Sequence, residues 1–229
     1  MKKGTFVVIE GGEGSGKQTQ VDLLYNHTKN EGYTAAKIAF PRYETPWGKE
    51  IKRYLSGEYG SLDEVDPRFA SLLYMLDRSD AQVWINHTLN WADLLVADRY
   101  STANFGHQGA KFSPGMERDN FLEWLMRFEH KNPLHNIFPD KVLYLDIPVE
   151  FSGQAMVKQG RVMDIHEKDL DYRRRVRDVF MDISSKSKDG DGKWELVNCL
   201  KDDGTRYSKE ELSDIIWKIV APLIKTTPR

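Results

Sequence analysis

Residues 5–24 read TFVVIEGGEGSGKQTQVDLL, and their pattern predicts the class of fold. Its first part, Thr5 to Ile9, is apolar and β-branched, which predicts a buried strand. A glycine-rich run follows, and after it Val21, Leu23 and Leu24 recur at helical spacing. A strand, a glycine loop and a helix in this order form the first half of a βαβ unit.

The glycine-rich run predicts a phosphate-binding loop, here called the phosphate loop (residues 11–17). Its glycines allow successive backbone N–H groups to face phosphate oxygens, and the next helix adds the positive end of its dipole. Lys17 is expected to neutralise the β- and γ-phosphates of a nucleotide, which predicts a nucleotide-dependent phosphotransferase. A glycine-rich turn without a ligand is the alternative, and the flanking strand and helix argue against it. The predicted ATP-binding residues are Gly11, Gly12, Glu13, Gly14, Ser15, Gly16, Lys17, Gln18 and Thr19.

The residue after Lys17 departs from the usual pattern of such loops. It is Gln18, where a Ser or Thr normally supplies a hydroxyl to Mg²⁺. Thr19 comes one position late and, since successive helical residues point about 100° apart, it is not expected to take over that ligand. We therefore expect Mg²⁺ to rely on carboxylates, waters and ATP oxygens, with Asp98 and Glu13 as the carboxylates.

Asp98 and Arg99 stand together where a predicted strand ends. The apolar run from Leu94 to Ala97 precedes them, and ligand groups of open α/β sheets lie at such carboxyl ends. An acid and a base facing a phosphate loop suit the positioning of a metal and the clamping of an acceptor phosphate. A structural ion pair at the edge of the sheet is the alternative.

The rest of the chain alternates between strand and helix patterns. Four further buried strands are predicted, at Thr34 to Phe40, Leu94 to Ala97, Val142 to Ile147 and Trp194 to Leu200. Segments with helical spacing separate them, which predicts a five-stranded parallel sheet with helices on both faces, built as one domain over residues 1–229. The polar stretch from Ser184 to Lys193 is predicted to be an exposed loop.

Two helices begin at clear capping signals. Asp66 followed by Pro67 starts a helix whose pattern continues toward Trp91. Ser208 and Glu211 form a capping-box pattern before an apolar helix near the end of the chain.

Composition excludes several classes of protein. The 229 residues carry a formal net charge of -2, so no overall basic field favours nucleic acid or an anionic membrane. No stretch approaches the length of a membrane span, and Lys2 and Lys3 lead directly into a strand rather than into the apolar segment of a signal peptide. Cys199 is the single cysteine, so the chain forms no internal disulfide. We expect a cytoplasmic enzyme that binds neither nucleic acid nor membrane.

Taken in order, these segments resemble the thymidylate kinases, which transfer the γ-phosphate of ATP to dTMP. The matching segments are GGEGSGKQTQ (11–20), FPRY (40–43) with Gly48 and Lys49, LLY (72–74) with Asp77 and Arg78, and DRY (98–100) with Asn104 and Gly109. The resemblance covers essentially the whole chain. It implies a P-loop three-layer α/β sandwich with a small lid, a homodimer, and ATP with Mg²⁺ and dTMP as the ligands.

The resemblance also assigns roles at the acceptor site. It implies that Tyr74 stacks on thymine, that Arg78 hydrogen-bonds the base, and that Asn104 reads its imide edge. Arg99, helped by Tyr43 and Arg42, is expected to hold the phosphate of dTMP. The residues implied to bind dTMP are Phe40, Arg42, Tyr43, Tyr74, Arg78, Arg99, Asn104, His107 and Gln108.

A lid is implied to supply part of the catalytic charge. Family members without an arginine in the phosphate loop carry basic catalytic residues in a lid, which here spans about residues 153–168. Arg161 is our first choice for this role and Lys158 our second, because such a cation stabilises charge on the transferring phosphoryl group. The implied catalytic residues are Lys17, Arg99, Arg161, Lys158 and Glu13.

Other functions remain open at this point. His107 stands where the family commonly has an aromatic residue that discriminates against a ribose hydroxyl, so the acceptor could be another nucleoside monophosphate or a deoxynucleoside. A GTPase-like switch is a different class, and the chain contains no Asn-Lys-x-Asp guanine signature. Gln18 also prompts a third alternative, a nucleotide-binding module without activity.

Overall fold

The chain forms a five-stranded parallel sheet, as the sequence predicts. A computed structural model describes residues 4–151, 164–166, 168–188, 190 and 192–225. The strands run in the spatial order β2-β3-β1-β4-β5, and every neighbouring pair is parallel. The strands are β1 Thr5–Gly11, β2 Ala35–Ala39, β3 Leu94–Asp98, β4 Lys141–Asp146 and β5 Trp194–Asn198.

Helices connect the strands and cover the sheet. In chain order they are α1 Lys17–Asn30, α2 Pro46–Leu55, α3 Pro67–Asp80, α4 Gln82–Trp91, α5 Thr102–Gly109, α6 Met116–Met126, α7 Leu170–Lys188 and α8 Lys209–Val220. A π-helical segment, Arg127–Lys131, extends α6, and a 3-10 turn, Ala221–Leu223, follows α8. Within the described ranges, none of the helices combines the length and the apolar character that crossing a bilayer requires.

The two faces of the sheet carry separate apolar cores. Because side chains alternate along a strand, Phe6 and Val8 enter one core, while Val7 and Ile9 enter the other. Residues of α4 to α7 fill the first core, and residues of α1 and α8 fill the second. This arrangement confirms the three-layer sandwich.

The helix predicted from Asp66 toward Trp91 is divided at Ala81, so the prediction of one continuous helix is wrong there. The Asp66 side chain caps α3 as expected, and α4 begins at Gln82. The Ala81 N–H bonds to the carbonyl of Arg78, three residues back, at 3.1 Å. The carbonyl of Asp77 is taken instead by the Arg42 guanidinium at 2.6 Å. A side chain thus replaces the backbone donor, which is a common cause of a helix break.

The polar stretch from Ser184 to Lys193 is a helix in its first part, so the predicted exposed loop is wrong for those residues. Helix α7 continues to Lys188, and Ser184 and Ser187 are buried. The Ser187 hydroxyl accepts a hydrogen bond from the backbone N–H of Trp194 at 3.0 Å. The two serines lie against the protein interior, so polarity alone does not reveal the helix.

Neighbouring strands bring the two predicted chemical segments together. Ile9 of β1 pairs with Asp98 of β3, and the Arg99 N–H bonds to the Ile9 carbonyl at 3.1 Å. The phosphate loop therefore leaves the sheet beside the Asp98–Arg99 pair, at the carboxyl edge where open α/β sheets bind ligands.

Candidate active site

The phosphate loop is held in a conformation that only its glycines permit at two points. A Cβ atom on Gly11 would lie 2.5 Å from the Ser15 hydroxyl oxygen and 3.0 Å from the Leu145 carbonyl oxygen. Gly16, at the start of α1, has a φ of 88°, in the left-handed region that favours glycine. The loop therefore leads into the amino-terminal end of a helix, as phosphate binding requires.

Lys17 lies inside the loop that it is predicted to serve. Its Nζ donates to the Gly12 carbonyl at 3.3 Å and lies 3.5 Å from Glu13 Oε1. Burial, assisted by the charge of Arg99, lowers the pKa of Lys17, while Glu13 acts in the opposite direction. A second basic residue, Arg206, reaches the loop from outside and donates to the Gly14 carbonyl at 2.8 Å.

Asp98 is placed to bind Mg²⁺ through its carboxylate, whereas Gln18 is not placed to replace the usual Ser or Thr hydroxyl. Asp98 Oδ1 is buried and accepts no hydrogen bond from any described residue. Burial raises the pKa of Asp98, and Lys17 and Arg99 oppose that rise. Gln18 and Thr19 are exposed, and the Gln18 amide lies 3.4 Å from Asp22 on the surface of α1.

The described residues do not form a complete metal cage of their own. No three His, Cys, Asp or Glu side chains gather among them in a way that could hold an ion. Mg²⁺ bound to a nucleotide typically uses one or two carboxylates, waters and phosphate oxygens, and an available Asp98 oxygen suits that pattern.

Arg99 projects from an unusual backbone conformation toward the phosphate loop. Its φ of 61° lies in the left-handed region, which non-glycine residues rarely adopt. Its Nη2 donates to Glu13 Oε1 at 2.9 Å, and its Nη1 donates to His107 Nε2 at 3.0 Å. Burial lowers the pKa of Arg99, but the charges of Glu13, Glu10 and Asp98 together raise it above the ordinary value.

Glu13 joins the donor and acceptor sides of the site. Its Oε1 lies 3.5 Å from Lys17 Nζ and 2.9 Å from Arg99 Nη2. One carboxylate oxygen thus contacts both the loop cation and the strand-end cation.

A cavity opens beside Arg99 and contains most of the predicted acceptor residues. Tyr43, Tyr74, Asn104 and His107 line it together with Gly12, Glu13 and Arg99. The Asn104 amide donates to the Ser71 carbonyl at 3.3 Å, which fixes its orientation.

The remaining predicted dTMP residues do not line this cavity. Arg78 is buried, with its Nε and Nη2 on Glu129 and its Nη1 3.5 Å from the Tyr100 carbonyl. Arg42 pairs with Asp77 at 3.0 Å and with Asp80 at 2.6 Å. Phe40 and Gln108 are buried in the protein. Direct contact of these four residues with dTMP stays a prediction.

The cavity also contains residues that the sequence did not single out. These are chiefly Asp164, His166, Tyr172, Arg173 and Arg177. Arg173 and Arg177 lie four residues apart on α7, and this spacing was the available signal that both reach one surface. Arg177 also binds Asp146 at the end of β4, at 2.6 and 2.8 Å.

Two histidine rings stack at the edge of the cavity. The His107 and His166 rings are 5.5 Å apart and 17° from parallel. Burial is the main cause that lowers the pKa of His107 well below its ordinary range and that of His166 to about 3. Both rings are therefore neutral near pH 7, which leaves His107 Nε2 free to accept the hydrogen bond from Arg99.

The predicted lid cations fall outside the described residues. Lys158 and Arg161 belong to residues 152–163, and of the predicted lid only residues 164–166 and 168 are described. Their catalytic role stays a prediction.

Comparisons with known proteins agree on one family. The sequence model described as "Thymidylate kinase" matches residues 9–190. A relative from Thermococcus kodakarensis named "Probable thymidylate kinase" is 28% identical and covers 89% of this chain and 94% of its own length. Thymidylate kinases of Mycobacterium tuberculosis (28% identical, 87% of this chain and 94% of the relative) and Arabidopsis thaliana (26% identical, 97% and 73%) are similar as well.

A solved structure supports the same fold. The thymidylate kinase of Candida albicans superposes with a TM-score of 0.76 at 23% identity, covering 96% of this chain and 92% of that chain. At this identity the likeness shows the fold alone.

Proposed function

Because the chain belongs to the thymidylate kinase family, we propose that this cavity carries out the family's reaction, transfer of the γ-phosphate of ATP to dTMP with formation of ADP and dTDP. One contact supports assigning this reaction to the cavity. Glu13 holds Lys17 of the phosphate loop and Arg99 of the cavity at 3.5 and 2.9 Å, so a donor cation and an acceptor cation already face one another.

The donor phosphates are bound by the phosphate loop. Its backbone N–H groups and the start of α1 cradle the anion, and Lys17 neutralises the transferring end. When bound with ATP, Mg²⁺ neutralises phosphate charge, and Asp98 and Glu13 are the carboxylates that would hold it.

The acceptor phosphate is bound by Arg99. A guanidinium matches the geometry of a phosphate and can bind two of its oxygens at once. Glu13 lines the cavity, so an incoming phosphate takes its place at Arg99. The phosphate of dTMP is already ionised near neutral pH, so the chain needs to supply position and positive charge rather than a strong base.

The base of dTMP lies against Tyr74, with Asn104 at its polar edge. An aromatic ring supplies stacking, and an amide can donate and accept at the same time. His107 contacts the sugar side. Its neutral ring accepts a hydrogen bond from Arg99. The preference of the site for deoxyribose or ribose is measured by comparing acceptors.

The transition state needs a further cation, because Glu13, Gly14 and Ser15 of the loop include no arginine. We assign this role to Arg161 first and Lys158 second. Charge developing on the phosphoryl oxygens is stabilised by a preorganised cation.

We also propose that the protein is a cytoplasmic homodimer. Trp84 and Trp91, which share one side of α4, are 44% and 47% exposed, and Val83 beside them is 82% exposed. Exposed apolar side chains grouped in this way mark surfaces that bind protein. The single cysteine, Cys199, fits a reducing compartment. Light scattering during gel filtration measures the mass, and a monomer would contradict the dimer.

The variant Lys17→Ala tests the donor site. We expect dTMP phosphorylation to fall by about 100-fold or more, because the cation on the transferring phosphate is lost. The dTMP affinity and the unfolding temperature should stay near those of the wild type. Lys29→Ala, which removes an exposed lysine near the end of the same helix, is the matched control. Near-normal turnover by Lys17→Ala would contradict the assignment.

A further inference from the structure

Glu10 is a fully buried carboxylate one residue before the phosphate loop. Its side chain has no exposed surface, although it lies at the carboxyl end of β1 beside the cavity. Its Oε1 accepts hydrogen bonds from the Tyr100 backbone N–H at 3.1 Å and from the Thr102 hydroxyl at 2.6 Å. Glu10 therefore connects β1, through these hydrogen bonds, to the turn that carries Arg99.

The second oxygen of Glu10 faces Arg99. Glu10 Oε2 has no hydrogen-bond partner among the described residues, and it lies 3.9 Å from Arg99 Nη1. Burial raises the pKa of Glu10, while the Arg99 guanidinium and the hydrogen bonds from Thr102 and Tyr100 oppose that rise. The geometry thus fits an ionised carboxylate, whose burial is tolerable only beside a positive charge.

The backbone at Arg99 needs outside support. A non-glycine residue with φ at 61° carries strain that persists only where the surroundings fix it. The Arg99 N–H is held by the Ile9 carbonyl, and the next residue, Tyr100, is held by Glu10. The two adjacent residues of β1 thus fix the direction in which the arginine leaves the backbone.

The two carboxylates beside Arg99 differ in their exposure to the cavity. Glu13 lines the cavity and its side chain is 32% exposed, whereas Glu10 is buried beneath it. A phosphate entering through the cavity can displace Glu13 and cannot reach the place of Glu10.

We propose that Glu10 is a positioning residue of the acceptor site, which fixes the turn that carries Arg99 and remains its counter-ion when the acceptor phosphate replaces Glu13. This inference rests on the proposed function, because it takes the phosphate of a nucleoside monophosphate as the anion that Arg99 binds.

The variant Glu10→Gln tests the proposal because it keeps the shape of the side chain and an acceptor oxygen but removes the charge. Binding of dTMP and of thymidine is measured by calorimetry, since only dTMP carries the phosphate. We expect the Kd for dTMP to increase about tenfold or more. Thymidine affinity and the KM for ATP should stay within about twofold. Glu117→Gln, at an exposed position of α6, is the control.

Two further variants keep the test decisive. Thr102→Val removes one hydrogen bond to Glu10 and should weaken dTMP binding in the same direction by a smaller factor, even if Glu10→Gln does not fold. In an Arg99→Met background, Glu10→Gln should have no further effect on dTMP binding, because Glu10 acts through Arg99. Unchanged or tighter dTMP binding, or equal loss for dTMP and thymidine, would overturn the proposal. Wild-type protein that binds dTMP no better than thymidine would instead overturn the proposed function.

Discussion

Glu13 shows how one residue can pair two cations of the site. It contacts Lys17 on one side and Arg99 on the other, so both cations have a carboxylate partner. Unpaired buried cations would be costly, and a displaceable carboxylate removes that cost. Each phosphate that enters then exchanges one charged partner for another.

Tyr74 is the residue at which base recognition can be tested. Its ring lines the cavity and meets Tyr54 edge-on, with ring centres 6.4 Å apart. Stacking of a base on an aromatic ring contributes about 1–3 kcal/mol. We therefore expect Tyr74→Ala to raise the KM for dTMP about 10- to 100-fold and to leave the KM for ATP unchanged.

The matched variant for this prediction is Tyr74→Phe, which keeps the ring and removes the hydroxyl. Steady-state kinetics with each substrate varied in turn measures both constants. An equal effect of the Ala and Phe variants, or a rise in the KM for ATP, would show that the ring does not hold the base.

Among single residues, sequence patterns predicted the position of groups that lie in short motifs and did not reveal contacts between distant segments. Lys17 and Arg99 belong to short motifs, and both lie where those motifs predict. The binding of Arg78 to the base stays a prediction, and no pattern indicated its contact with Glu129, which lies 51 residues away and belongs to no motif. His166 reaches the cavity from a segment that has no local signature.

At the scale of elements, helix starts were predictable because capping is local. The Ser208 hydroxyl accepts from the Glu211 N–H at 3.1 Å, and the Glu211 carboxylate accepts from the Ser208 N–H at 2.7 Å. Both bonds join residues three apart, so the four-residue pattern includes both partners of each hydrogen bond. The break at Ala81 was not predictable because its cause, Arg42, comes from another segment.

The capping box of α8 gives a stability prediction. Ser208→Ala removes an acceptor for a backbone N–H that has no helical partner, which should lower the free energy of unfolding by about 1 kcal/mol. Urea denaturation measures this change. Ser185→Ala, at an exposed position inside α7, is the control and should change the free energy by less than about 0.5 kcal/mol. If Ser208→Ala lowers the free energy of unfolding no more than Ser185→Ala does, the capping role of Ser208 is contradicted.

In the whole molecule, the sheet was predictable because β1, β3 and β4 are buried, largely apolar runs and segments with helical spacing separate the strands. Parallel strands that are buried on both faces read as apolar runs, and connecting helices favour a parallel arrangement. The cavity was harder to predict, because it is formed by α3, α5, α7 and the strand ends together. Its shape depends on packing between segments far apart in the chain.

The buried histidines predict how stability depends on pH. The unfolded His166 has an ordinary pKa near 6.5, whereas the folded pKa is about 3, so between these values only the unfolded chain binds the proton. The free energy of unfolding therefore decreases as pH falls below about 7. Between pH 7.5 and 5.5, His166 alone should account for a loss of about 1.4 kcal/mol.

His166→Phe tests this dependence because it keeps an aromatic ring and cannot be protonated. Its stability at pH 7.5 should be lower, since Tyr54 loses its 2.8 Å hydrogen bond to His166. Its further loss between pH 7.5 and 5.5 should be smaller than that of the wild type by about 1.4 kcal/mol. His87→Gln, at an exposed position, is the control. Parallel pH dependences for the wild type and His166→Phe would contradict the prediction.

The phosphate loop and Arg99 are proposed to act together in phosphate transfer from ATP to dTMP. The most direct test is to measure kcat/KM with ATP for dTMP, dUMP, UMP, dCMP, dGMP and thymidine. We predict that dTMP is the best acceptor, that dUMP follows, and that thymidine is not phosphorylated because it carries no phosphate for Arg99 to bind. A preference for any acceptor other than dTMP or dUMP would contradict this account.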